Sequence, residues 1–332
     1  MEDWISERLN AAEGLASSGI CDHCLGRMFG KVGTGTTNDA RGRMIREALS
    51  EAGKDIPSPE FCSLCENVFD LMPRFAEAVA ESVNSVESDN FLVGSKVEPE
   101  IAERERALWE QFGLDDAESI KTELNREIGK LSFPMINRPV EFKNPQVVAC
   151  IDTRFADVAL DISPIFIAGR YRKYSREIPQ TIWPCRMCKG KGCGRCGGTG
   201  KMYRTSVQEI IGDIALEMSG GEEHFFHGMG REDIDALMLG TGRPFVIEIS
   251  SPVVRDLDLT AIQQEINERA KGLVEVEQLR PSDREEVRLV KDSAHDKEYR
   301  VQVSIHGKVN KERVNEVLRT FNRTRIVQRT PV

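Results

Sequence analysis

The period of the apolar positions changes once along the chain. Up to residue 131 it is mostly helical. Helices are predicted over 1–18, 38–52, 98–111 and 116–131, with an amphipathic run from Asp70 to Val86. Asn38 or Asp39 caps the second of these and Gly53 closes it. One strand, "FLVGSKV", interrupts this part, and the proline- and asparagine-bearing "FPMINRPVEFKNP" reads as a connector. Beyond it the chain offers short strands: "QVVACIDT", "DVALDI", "PIFIAGRYRKY", "RPFVIEIS", "VRLVK" and "YRVQVSI", with a last one in "RTRIVQRTPV". Helices are predicted near 206–218, 258–271 and 310–321. Helices mixed with mostly antiparallel strands make an α+β, multidomain architecture.

Composition leaves that picture in place: 40% apolar and 30% charged residues over 332 positions suit a globular chain of two or three domains. No apolar run approaches the roughly 20 residues that span a bilayer. The polar start "MEDWISERLN" is no signal peptide, so the cytoplasm is the expected compartment and no membrane partner is expected.

The cysteines add chemistry. Eight of nine fall in Cys-x-x-Cys pairs: Cys21/Cys24, Cys62/Cys65, Cys185/Cys188 and Cys193/Cys196. Two intervening residues let two thiolates converge on one metal ion, and two such pairs complete a tetrahedral zinc site. Two structural zinc sites are therefore predicted, one from Cys21, Cys24, Cys62 and Cys65, the other a knuckle over 185–200. Four thiolates close the coordination shell, which excludes a catalytic metal at either. His23 has poor spacing for a ligand, and Cys150, in "VVACI", reads as a small buried hydrophobe. The knuckle repeats Cys-x-x-Cys-x-Gly-x-Gly twice. It resembles half of the cysteine-rich region of J-domain co-chaperones, but no His-Pro-Asp accompanies it, which sets a chaperone reading aside.

Charge is distributed unevenly. Residues 169–204 hold ten Lys and Arg against the single acid Glu177, making +9; the rest of a chain of net −9 thus carries −18. A basic island on an acidic body is the electrostatic footprint of a polyanion site. Arg170, Lys173, Arg176, Arg186, Lys189, Lys191, Arg195 and Lys201 are the candidate phosphate contacts, with Tyr171 and Tyr174 available for stacking or packing.

The glycine-rich stretch "HFFHGMGREDIDALMLGTGRPFVIEI", 224–249, is the candidate for reaction chemistry, because backbone approaches a ligand closely in such connectors. In it Asp233 lies two residues after Arg231, a guanidinium suited to keep a nucleophilic carboxylate ionised. A bare Arg-x-Asp is more often an ordinary surface pair.

The longer stretches decide more. "AGRYRKYSREIPQT", the knuckle running into "GKMYRTSVQEIIGD", and "HGMGREDIDALMLGTGRPFVIEI" resemble the archaeal-type tRNA pseudouridine synthases that act at positions 54 and 55 of the TΨC arm. "CDHCLGRMFG" with "CSLC" is similar to that family's accessory zinc domain. The resemblance implies an N-terminal zinc-binding domain over 1–70, a THUMP-like RNA-binding domain over 71–168 and a pseudouridine synthase domain over 169–332. It implies Asp233 as nucleophile, oriented by Arg231, and Tyr299 in "KEYRVQVSI" as the aromatic facing the target base. It also implies tRNA as partner, zinc without an organic cofactor, no ATP, and a monomer. The chain ends at "IVQRTPV", before the glycine-rich segment with which this family completes its catalytic sheet. An incomplete catalytic domain, and with it a zinc-stabilised tRNA binder without catalysis, is the alternative expectation.

Overall fold

The computed structural model describes residues 3–32, 35–292 and 298–324, in two units, 1–292 and 293–332.

The first unit begins with helices α1 (Asp3–Ser17), α2 (Asp22–Arg27), α3 (Asn38–Glu51) and α4 (Met72–Asn84). Strand β1 (Leu92–Lys96), helices α5 (Pro99–Phe112) and α6 (Ile120–Ile136), and strands β2 (Val147–Asp152) and β3 (Asp157–Ile162) follow. β1 runs parallel to β2, and β3 returns antiparallel beside it. One continuous core holds this half. Leu15, Ile20, Cys24, Phe29 and Ile45 pack in the same cluster as Phe75, Val79, Val83, Leu124, Val147 and Ile151. The first cysteine set is therefore inside the core shared with the strands. Beneath it Arg27 is fully buried. Its guanidinium pairs with Glu105, approaches Glu123 at 4.0 Å and reaches Cys24 Sγ at 3.5 Å.

The second half is built on β4 (Ile165–Lys173), α7 (Val207–Ser219), β5 (His224–Gly228), β6 (Met238–Ile249), α8 (Leu259–Arg269), β7 (Val274–Ser282) and α9 (Arg284–Asp292). The antiparallel sheet has the order β5-β6-β4-β7. Alternation along β4 turns Ile167 and Tyr171 into a core with Val207, Ile211, Phe245, Ile247, Ile262 and Val276. On the other face Ala168 and Val246 pack against Val287 and Val290 of α9.

Most predicted elements form, with instructive exceptions. "VRLVK" is helical within α9: Val287 and Val290, three apart, are the buried positions, so the period is that of a helix. The helix predicted to end at 131 runs through Pro134 to Ile136, shortening the expected connector. The short helix α2 and strands β5 and β7 were not anticipated. In the second unit α10 (Lys311–Phe321) forms as predicted. "YRVQVSI", however, carries no strand: Tyr299, Val301 and Val303 are all largely exposed. Its alternation has no neighbouring strand to pair with among the described residues. Most of "RTRIVQRTPV", from residue 325 on, lies outside them.

Candidate active site

Asp233 is exposed on the β5–β6 connection, and its main chain is fixed from below by two buried charged residues. Alternation on β4 places Tyr171 and Lys173 on the inner side and Arg170 and Arg172 on the outer side. The fully buried Lys173 donates from Nζ to the carbonyl oxygens of Asp233 (3.2 Å), Ile234 (2.8 Å) and Ile178 (3.1 Å). Burial pushes its pKa below the ordinary lysine value, while Glu232 and Asp235 pull it back.

Glu232 turns inward. Tyr171 Oη donates to both carboxylate oxygens (2.9 and 2.8 Å), and Arg243 Nε pairs with it at 2.9 Å. Gln180 Nε2 donates to Tyr171 Oη at 2.8 Å and to Gly230 O at 3.0 Å. Burial, reinforced by the facing carboxylate, pushes the Tyr171 phenol far above its ordinary value, so it remains a donor. Replacing Lys173 with methionine leaves the Ile178 and Ile234 carbonyls without their donor, while Asp233 O keeps the amide of Ala236 at 3.1 Å. We expect a loss of about 3 kcal/mol, at about 1–3 kcal/mol per orphaned group, read from the denaturant midpoint.

Of the three residues picked as catalytic, Asp233 and Arg231 lie in this loop, and Tyr299 belongs to the second unit. Among the described residues Asp233 makes no side-chain ion pair with Arg231. The Arg231 guanidinium lies over the Trp183 ring instead, 5.0 Å from its centroid. Of the proposed phosphate contacts, Arg176, Arg186, Lys189, Lys191 and Arg195 are exposed. Arg170 bonds Thr241 O (2.6 Å) and Gly242 O (2.8 Å), and Lys201 pairs with Glu209. Tyr171 and Lys173 are buried, so they support the loop and do not meet a ligand in solvent; the exposed Tyr174 bonds Glu275. Glu232, Gln180, Trp183 and Arg243 were missed as site residues. Glu232 sat inside the singled-out "GRED", but an acid next to an acid looks solvated until its partner on β4 is known.

Both cysteine sets converge, the ligand atoms of each lying within 4.8 Å of one another. A tetrahedral shell with Zn–S near 2.3 Å requires S···S edges of about 3.8 Å. The observed separations are 3.7 Å for Cys21–Cys65, and 4.0, 3.9 and 3.7 Å for Cys185–Cys193, Cys188–Cys196 and Cys193–Cys196. In the knuckle, Cys193 N and Gly200 N each donate to Cys196 Sγ at 3.2 Å, as to a thiolate. Gly192 and Gly200 both have positive φ, 85° and 71°. A Cβ on Gly200 would come within 2.3 Å of Gly190 O, and one on Gly192 within 2.6 Å of Gly198 O. The repeated glycines are what allow the backbone to close around the sulfurs.

A family model described as Pus10, C-terminal, matches residues 166–332, and one described as Pus10 THUMP domain, archaeal, matches 75–152. A protein of Methanothermobacter marburgensis named tRNA pseudouridine synthase Pus10 is 42% identical over 99% of this chain and 81% of its own length. Proteins of the same name from Methanopyrus kandleri (39%, covering 96% and 80%) and Pyrococcus furiosus (38%, covering 97% and 78%) are also similar. The chain belongs to the Pus10 family. The Pus10 C-terminal match takes in the sheet β5-β6-β4-β7, the knuckle and the Asp233 loop, and the THUMP match takes in α4 to β2. No described helix is long and apolar enough to cross a membrane.

Proposed function

We propose that this chain isomerises uridine to pseudouridine at positions 54 and 55 of the TΨC arm of tRNA, with Asp233 as nucleophile. The observation that carries the reading is an exposed carboxylate on a loop whose main chain is locked by Lys173 and Glu232, within the Pus10 C-terminal match. A preorganised carboxylate costs little to bring to its target. The target uridine leaves its stack and enters the site, as base-modifying enzymes require. The Asp233 carboxylate then adds covalently at the ribose C1′ or at the base. The C1′–N1 bond breaks, the uracil turns, a C1′–C5 bond forms, and the bond to Asp233 breaks to return the free carboxylate. C5 gives up its proton and N1 ends with one, so no ATP or redox cofactor enters. Arg231 supplies positive potential beside the reacting carboxylate.

Zinc is the ion for both sites and structural at both. The molecule works as a cytoplasmic monomer in which the zinc-binding segment 1–70 and the THUMP-like segment 71–168 share one core ahead of the catalytic segment 169–332. Arg186, Lys189, Lys191 and Arg195 stand exposed on a knuckle without acids and grip the phosphate backbone. Changing all four to alanine is expected to reduce the slope of log affinity against log salt by about 3, at about 0.7–0.9 per lost phosphate contact. A titration at several salt concentrations reads this directly.

The deciding experiment incubates an unmodified tRNA transcript with the chain and maps pseudouridine by carbodiimide adducts that stop primer extension. Stops at 54 and 55 are expected, and uridine left intact at both would sink the reading. The exposure of Tyr299, 76%, in a segment without a strand favours a second reading, in which the chain holds tRNA without modifying it. Tight binding with no adduct would mark that case.

A further inference from the structure

We infer that Trp183 is a positioning residue through which the metal-bound knuckle sets the place of Arg231. The knuckle closes on a short ribbon. Met202 N donates to Trp183 O at 2.9 Å, Pro184 bridges Lys201 in antiparallel register, and Cys185 N donates to Gly200 O at 2.6 Å. Cys185 is itself a ligand, and Gly200 N holds the sulfur of Cys196. Trp183 thus sits two residues from the ligand set on one side, and is bound across the ribbon on the other.

Tyr203, on the returning segment, meets the indole edge-on at 5.6 Å and fixes its plane. The Arg231 guanidinium lies over the same ring. Arg231 has no ion pair or hydrogen bond from its side chain to another described residue, so the indole is what orients it. No residue from Arg186 to Thr205 belongs to the buried apolar core. With no core of its own, the knuckle takes its shape from the ion, as small metal-organised loops do. Losing the ion releases the ribbon, then the Trp183–Tyr203 pair, then Arg231. The knuckle is therefore a brace for the "GRED" loop as well as a phosphate grip, and a metal outside the reaction sets the rate.

The activity arm of the test rests on the function proposed above, whereas the spectroscopic arm does not. The full chain is labelled with 5-fluorotryptophan, and the resonances of Trp4, Trp109 and Trp183 are assigned by single Trp→Phe variants. Arg231→Gln is expected to move the Trp183 resonance alone. In a Cys188→Ser background, which removes a knuckle ligand, the same change is expected to move it no further. A Trp183 shift of equal size with and without Cys188, or no shift at all, overturns the inference. In kinetics, Trp183→Ala is expected to lower kcat about tenfold with KM for tRNA little changed. Trp183→Phe restores most of the loss, and Trp183→Ala with Arg231→Gln is no worse than Arg231→Gln alone, the mark of coupled residues. Additive losses overturn it as well. If the resonances behave as stated and no variant or parent forms pseudouridine, the brace stands and the proposed activity falls.

Discussion

Asp233→Ala is expected to lower pseudouridine formation by at least about 10,000-fold, the scale on which removal of a covalent nucleophile acts. tRNA affinity and melting temperature should stay as in the parent. The reason for the second half lies beneath the loop. Lys173 holds the main-chain oxygens of Asp233 and Ile234, and Glu232 is anchored by Tyr171 and Arg243. None of these contacts uses the Asp233 side chain, so its removal takes away chemistry and leaves the scaffold. Forming the C1′–C5 bond expels the C5 hydrogen, so release of tritium from tRNA labelled at uridine C5 measures the reaction continuously. Asp233→Asn, isosteric and uncharged, should be as inactive as the alanine variant. Residual activity within about tenfold of the parent in either would remove Asp233 from the chemistry.

The second large effect separates the two cysteine sets. Cys62→Ser is expected to unfold the first half of unit one, whereas Cys193→Ser is expected to leave both cores folded. Cys24, Cys62 and Cys65 are fully buried among Leu15, Ile20, Phe75 and Val83, and Arg27 lies under Cys24. A structural zinc contributes about 10–16 kcal/mol of apparent folding free energy, against a net stability of about 5–15 kcal/mol for a typical domain. Losing it would also disturb the buried Arg27, which reaches Cys24 Sγ on one side and pairs with Glu105 and Glu123 on the other. In the knuckle Cys188, Cys193 and Cys196 are half-buried and only Cys185 is buried, and none of the four belongs to either large core. Amide hydrogen exchange resolves the two cases. Protection in β2 should collapse in Cys62→Ser and survive in Cys193→Ser, and retained protection in both would show that the core does not depend on the first ion.

Spacing carried most of what the sequence revealed. Cys-x-x-Cys is a local geometric constraint, so both sulfur clusters were readable, including one closed across 37 residues. The main helices and β4 were readable from period alone. β7, with Val274 and Val276 inward and Glu275 and Glu277 alternating, carried a strand signal that went unused. "VRLVK" failed because five residues with three apolar positions fit both periods, and only the sheet face beneath α9 chooses between them. The support of the active loop was illegible for a different reason. Glu232 becomes a buried anchor only when β4, some 60 residues earlier in sequence, brings Tyr171 beneath it. Basic charge likewise marked out 169–204 as a region, yet could not say that Lys173 faces inward while Arg172 faces out to Glu275 and Glu277.

The parallel pairing of β1 with β2 bears on how the chain folds as it is made. Both α5 and α6 must be synthesised before Val148 can meet Leu92, and β3 follows later still. Such distant pairing closes slowly, because the loop entropy is spent before any contact rewards it. The Cys21–Cys65 cluster closes over a shorter span and is complete while those helices are still unmade. A tie closed there would be the first long-range contact of the nascent chain, made before α5 and α6 exist and onto which α4 and then the sheet could condense.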